Sequence, residues 1–128
     1  MTKTIDGATL VKLLKTTTVT DRIKNGNYLL EVLQDESGEY YIDERSISNS
    51  LDYLTDSLKS WVGCSNPKVA MMALDIVSLV ADAVNNNSKH YLLFLQELTE
   101  TIVANLGNKS KEIRTSLVYL LKNFLLTG

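Results

Sequence analysis

Ser65-Asn66-Pro67-Lys68-Val69 starts a helix. Asparagine before proline is an efficient start, because the Asn66 side chain can accept from the first free amides and Pro67 has no N–H to leave unpaired. Apolar residues at helical spacing run up to Gly63 and resume at Val69, so the segment is a tight turn between two helices. Val19-Thr20-Asp21-Arg22-Ile23 and Lys109-Ser110-Lys111-Glu112-Ile113 share its grammar of polar turn residues, then charge, then a β-branched residue. Each also closes one apolar segment and opens another. The aligned positions Ile23, Val69 and Ile113 lie 46 and 44 residues apart.

A repeat of about 40–47 residues is the period of HEAT and armadillo arrays, in which one helix pair cannot bury its apolar face without a neighbour. The expected fold is all-α, an α-solenoid of three HEAT-like antiparallel helix pairs in a single domain over 1–128. Repeat 1 is placed at about 6–35, repeat 2 at about 46–84 and repeat 3 at about 89–127. The first helix runs from Gly7 to Lys15 behind an Asp6 cap, with Leu10, Leu13 and Leu14 on one side. Thr20 is the expected cap of the second, whose stripe is Ile23, Leu29, Leu30 and Leu33, and Gly26 marks a close helix approach. Residues 35–45 read as the longest loop. The third helix starts at Ser46 or Ser48 and carries Leu51, Leu54, Leu58, Trp61 and Val62.

The fourth helix, from Pro67 to Val84, is apolar nearly all round, which is the pattern of a central buried element. Leu74 and Ile76 belong to its core. The fifth carries Tyr91, Leu92, Phe94, Leu95, Leu98, Ile102, Val103 and Leu106, with Gly107 as C-cap. Ser110 caps the last, which stays apolar to Leu125. A terminal repeat normally shows a polar outer face. The C-terminal face therefore reads as uncapped, the mark of a longer array or of one that self-associates.

At 128 residues and 45% hydrophobic content the chain can bury one core. No apolar run approaches the roughly 18 residues of a membrane span, and Met1-Thr2-Lys3-Thr4-Ile5-Asp6 has no signal-peptide core. The single cysteine, Cys64, cannot form an internal disulfide, which fits a reducing compartment. A net charge of −2 argues against general nucleic-acid binding. Its distribution is uneven. The intra-pair turns carry Lys15, Arg22, Lys24, Lys59, Lys68, Lys109, Lys111 and Arg114 against Asp21 and Glu112, whereas the first connection between pairs carries Glu31, Asp35, Glu36, Glu39, Asp43 and Glu44 against Arg45. In a helix-pair array the two kinds of connection lie on opposite edges. One basic edge would steer and orient an acidic partner. Arg22, Lys68 and Lys111 lie off the apolar stripes, so they are expected to be exposed and dispensable for folding.

Leu51-Asp52-Tyr53-Leu54 through Leu58, Ser60-Trp61-Val62, Ser65-Asn66, Lys68-Val69, Leu74-Asp75-Ile76 and Leu106-Gly107 with Arg114 resemble the first half of a TOG domain, the HEAT-repeat unit of microtubule regulators. The form is closest to that of the CLIP-associating protein (CLASP) family, and Val19-Thr20-Asp21-Arg22 falls where that family has Trp-x-x-Arg. The likeness spans nearly the whole chain, at three repeats where a TOG domain has about six. It implies a cytoplasmic, cytoskeletal module that binds tubulin or microtubules through its intra-repeat turns and regulates microtubule dynamics or spindle organisation. By position the tubulin-facing residues are Val19 and Arg22, then Ser65, Asn66 and Lys68, then Lys109, Lys111 and Arg114. Val19 stands where many TOG domains expose a tryptophan, which removes a large aromatic anchor. The alternative is a generic HEAT-type scaffold for another protein partner, with the C-terminal helix face open to association.

No catalytic, metal or cofactor site is expected. His90 is the sole histidine and sits at a helix start, where a solvated role suffices. Cys64 lies near a helix N-terminus, which can lower a thiol pKa, but it reads rather as a small turn residue. No glycine-rich phosphate loop or metal-spaced cluster occurs. Met71 and Met72 read as core rather than as an adaptable groove, and Trp61 as inter-helix packing. Tyr40 and Tyr41 are either a clasp onto the second pair or a partner contact.

Overall fold

The structure, a computed structural model, describes residues 3–84, 89–105 and 115. The element order is β1 (Lys3–Ile5), α1 (Gly7–Leu14), α2 (Val19–Leu33), β2 (Tyr40–Ile42), α3 (Glu44–Asn49), α4 (Leu51–Val62), α5 (Pro67–Ala83) and α6 (Lys89–Asn105). The fold is all-α, apart from one small ribbon among the described residues. The expected last helix, with Leu106, Gly107 and Ser110, lies outside the described residues.

Local signals set most boundaries. Asp6 caps α1 by accepting from the Thr9 amide at 2.8 Å and the Thr9 hydroxyl at 2.7 Å. The Thr9 hydroxyl, then its amide, hold the Asp6 carboxyl below its ordinary pKa. Asn66 Oδ1 accepts from Lys68 N at 2.9 Å and Val69 N at 3.3 Å, with Pro67 at the first position of α5. The cap of α2 is Thr18, whose Oγ1 accepts from Asp21 N at 3.2 Å, and not Thr20. Thr18 is extended at φ −87° and ψ 147°, and Asp21 then falls in the first turn, where the helix dipole favours a carboxylate.

Two further expectations are corrected. Residues 35–45 are not one loop: after Gly38, at φ +87°, Tyr40–Ile42 forms β2 and pairs in parallel with β1 in the register Lys3↔Tyr40, Thr4↔Tyr41 and Ile5↔Ile42. Lys3 N donates to Glu39 O at 2.8 Å and Asp43 N to Ile5 O at 2.9 Å, so the first pair is closed by its own ends. The helix expected from Ser46 or Ser48 is two helices that meet at Ser50. Asp43 caps α3 through Ser46 N at 3.1 Å. At the break, Gly7 N donates to Ser46 Oγ at 2.9 Å, and Ser50 Oγ occupies the space a Gly7 side chain would need.

Packing sorts the helices into two layers. α1 pairs with α2 and α4 with α5; α1, α4 and α6 make one layer, and α2 lies on α5 in the other. Gly7, at the start of α1, touches Ser50 beside the start of α4, and Leu14 at its end is bonded by Trp61 near the end of α4. Those two helices therefore run in the same direction. In the other layer Gly26 approaches Met72, and each lies three residues after its aligned β-branched residue, Ile23 or Val69. A Cβ on Gly26 would lie 2.6 Å from Met72 Cε and 3.3 Å from Trp61 Cζ3, so this is the close approach the glycine signalled.

The core runs through both layers. Leu10, Leu29, Leu54, Trp61, Ile76 and Phe94 are at most 1% exposed. Trp61 and Met72 pack as expected, while Met71 is half-buried against the same cluster. On α5 Val69, Leu74, Ile76, Val77 and Val80 are all buried, which makes it the central element. On α6 Tyr91, Phe94, Leu98 and Ile102 face inward, whereas Leu92, Leu93 and Val103 are exposed.

Candidate partner-binding edge

The turn between α1 and α2 is built by side chains reaching in from three directions. The last carbonyls of a helix have no partner within it. Here Asn25 Nδ2 donates to Leu13 O at 2.9 Å and Trp61 Nε1 to Leu14 O at 2.9 Å. One step on, Arg22 Nε donates to Thr16 O at 3.0 Å. Arg22 Nη2 continues to Ser60 Oγ at 2.9 Å, on the last turn of α4, and its guanidinium lies over the Trp61 ring at 5.7 Å from the centroid. The first intra-pair turn and the end of α4, which leads into the second, are thereby fastened at the same end of the stack.

This fastening corrects the expectation for Arg22. It was expected as an exposed cation facing a partner, yet it is only 9% exposed, and its Nε and Nη2 donate to Thr16 and Ser60 within the fold. The stripe of α2 shifts accordingly: Arg22, Gly26, Leu29 and Val32 are buried, and Ile23, Leu30 and Leu33 are half-buried. An arginine at an inward position is stable because its planar fork meets two acceptors while its face stacks on an aromatic ring.

The other positions on these two turns are open to contact. Val19 is 39% exposed, an apolar side chain on the first turn of α2. Ser65 and Lys68 are exposed on the second turn, and Asn66 is half-buried with its Oδ1 used as a cap. Lys15, Lys24 and Lys59 are also exposed, with Asp21 the acid among them. Lys109, Lys111 and Arg114 lie outside the described residues. On the first connection between pairs, Glu31, Glu36, Glu39 and Glu44 are exposed, while Asp35 accepts from Ser37 and Asp43 serves as a cap.

Tyr40 packs half-buried against the core, and Tyr41 is 58% exposed. The Cys64 amide donates to Trp61 O at 3.1 Å, and the residue is half-buried inside the turn. The His90 side chain lies outside the described residues. Among the described residues no group of three His, Cys, Asp or Glu is placed to hold a metal ion, and no helix is long and apolar enough to cross a membrane.

Sequence reasoning missed the structural role of Arg22 and the exposure of Tyr53, at 65% the most open large apolar side chain among the described residues. Arg22 had a signal: it begins an i, i+4, i+7 line with Gly26 and Leu29, in which neither of the first two registers as apolar. Compared with protein-family models, curated proteins and solved structures, the chain matches none.

Proposed function

We propose that this chain is a non-catalytic protein-binding module of the TOG type that contacts tubulin through the edge formed by its intra-pair turns. The observation that supports it is the fastening of the first turn to the end of α4 by Arg22 and Trp61, which holds two turns rigidly at one end of the stack. A rigid edge keeps Val19, Ser65 and Lys68 positioned before a partner arrives, so little entropy is lost on binding. Exposed Lys24, Lys59 and Lys68 give the edge its sign, suited to an acidic surface. Such a module works in the cytoplasm on the cytoskeleton and alters microtubule dynamics by holding tubulin.

A generic helix-pair scaffold for another protein is the second reading. What favours it is the same arginine: with Arg22 turned inward and Val19 in place of an aromatic anchor, the edge has fewer strong contact groups than the resemblance implies. Co-elution with tubulin at low and moderate salt separates the two. Complex formation that weakens as salt rises supports the charged edge; no complex at either salt gives the scaffold reading precedence.

A further inference from the structure

A groove of about 480 Å³ opens between α1 and the start of α4, lined by Ala8, Val11, Lys12, Lys15, Ser50 and Tyr53. Ala8, Val11 and Lys12 of α1 and its C-cap Lys15 follow i, i+3, i+4, i+7 spacing and so lie along one face of that helix. Val11 is half-buried against the core and makes an apolar floor with Ala8. Tyr53 stands at the side, 65% exposed. Lys12 and Lys15 are exposed, and no carboxylate is among the described lining side chains. A chain of net charge −2 thus carries a cleft whose lining holds two cations and an open aromatic ring.

We propose that this groove docks a short acidic segment of a partner protein, with one apolar side chain seated on Ala8 and Val11 against the Tyr53 ring and flanking carboxylates paired with Lys12 and Lys15. The volume lies within the roughly 300–1,000 Å³ of ligand-holding clefts. Tyrosine offers a large contact at small entropic cost, because only two torsions need to be fixed. The lysine stems extend the apolar floor while their ammonium groups stay in water at the rim, where a carboxylate can meet them. The site stands apart from the tubulin reading, since of its six lining residues only Lys15 belongs to the turn edge.

The test is fluorescence anisotropy with a fluorescein-labelled oligoglutamate carrying one central phenylalanine. Saturable binding is expected. It should weaken about tenfold in Lys12→Glu/Lys15→Glu, through lost attraction and added repulsion, and about fivefold in Tyr53→Ala, through loss of the anchor. A probe with alanine in place of phenylalanine should bind about as weakly as the phenylalanine probe binds Tyr53→Ala. Lys59→Glu/Lys68→Glu, on the turn edge, should bind the probe as the parent does. All four groove and edge lysines and Tyr53 are exposed, so circular dichroism should show parent helicity in each variant. No saturable binding, equal binding of the alanine probe, or a loss that follows Lys59 and Lys68 instead would overturn the proposal.

Discussion

The Arg22 guanidinium lies over the Trp61 ring, 5.7 Å from its centroid, and the two side chains end on carbonyls of one turn, Thr16 and Leu14. The contact joins α2 to α4, helices of different pairs. A turn that would otherwise depend on its own short backbone is held by the neighbouring pair, through the same contacts that join α2 to α4.

Arg22→Lys should therefore act on stability. Lysine keeps the charge but offers one nitrogen where arginine reaches Thr16 and Ser60 from two, and it stacks less well on Trp61. A loss of about 1–3 kcal/mol is expected in urea melts. A change within about 0.5 kcal/mol of the parent would mean that Arg22 is a solvated surface cation.

Thr16 gives the opposite sign. Its Oγ1 is buried without a hydrogen-bond partner among the described residues. Thr16→Val keeps the shape and removes an unpaired hydroxyl, so the variant should be as stable as the parent or up to about 1 kcal/mol more stable. Thermal melts that show a clear loss would reveal a partner for that hydroxyl.

Two glycines should respond differently to alanine. At Gly7 the new Cβ would meet the Ser46 backbone carbonyl at 2.5 Å as well as Ser50, and backbone does not yield, so Gly7→Ala should cost about 1–3 kcal/mol. At Gly26 it meets the tip of Met72, which can swing aside, and alanine gains about 1 kcal/mol of helix propensity. Gly26→Ala should stay within about 1 kcal/mol of the parent. Denaturant melts that rank the two variants the other way round would contradict this packing.

Leu74 is 3% exposed on the central helix. Leu74→Ala should lower stability by about 2–5 kcal/mol, the usual cost of a core cavity. A loss below about 1 kcal/mol in urea melts would make α5 a peripheral element.

What was legible in the sequence was local. Asp6, Asn66 and Pro67 mark helix starts through contacts within three residues, and Leu51, Leu54, Leu58, Trp61 and Val62 lie on the buried stripe of α4 as their spacing implies. The pairing of β1 with β2 was not legible, because Lys3–Ile5 and Tyr40–Ile42 are three-residue strands whose only signal is each other across two helices. The break at Ser50 lies where Gly7 docks, again far off in sequence. At the candidate edge, charge pointed to the intra-pair turns and misassigned Arg22, since a cation that meets two oxygens and a ring reads the same in sequence as one that meets water.

Size-exclusion co-elution with tubulin, comparing the parent, Lys59→Glu/Lys68→Glu and the opposite-edge variant Glu36→Lys/Glu39→Lys, tests the edge most directly. Each exposed pair contributes about 0.2–1 kcal/mol, so reversing two cations removes attraction and adds repulsion together. The account predicts a salt-sensitive complex for the parent, loss of it in the lysine variant, and retention or strengthening in the glutamate variant, all at unchanged helicity. Tubulin binding by Lys59→Glu/Lys68→Glu as strong as by the parent would contradict it.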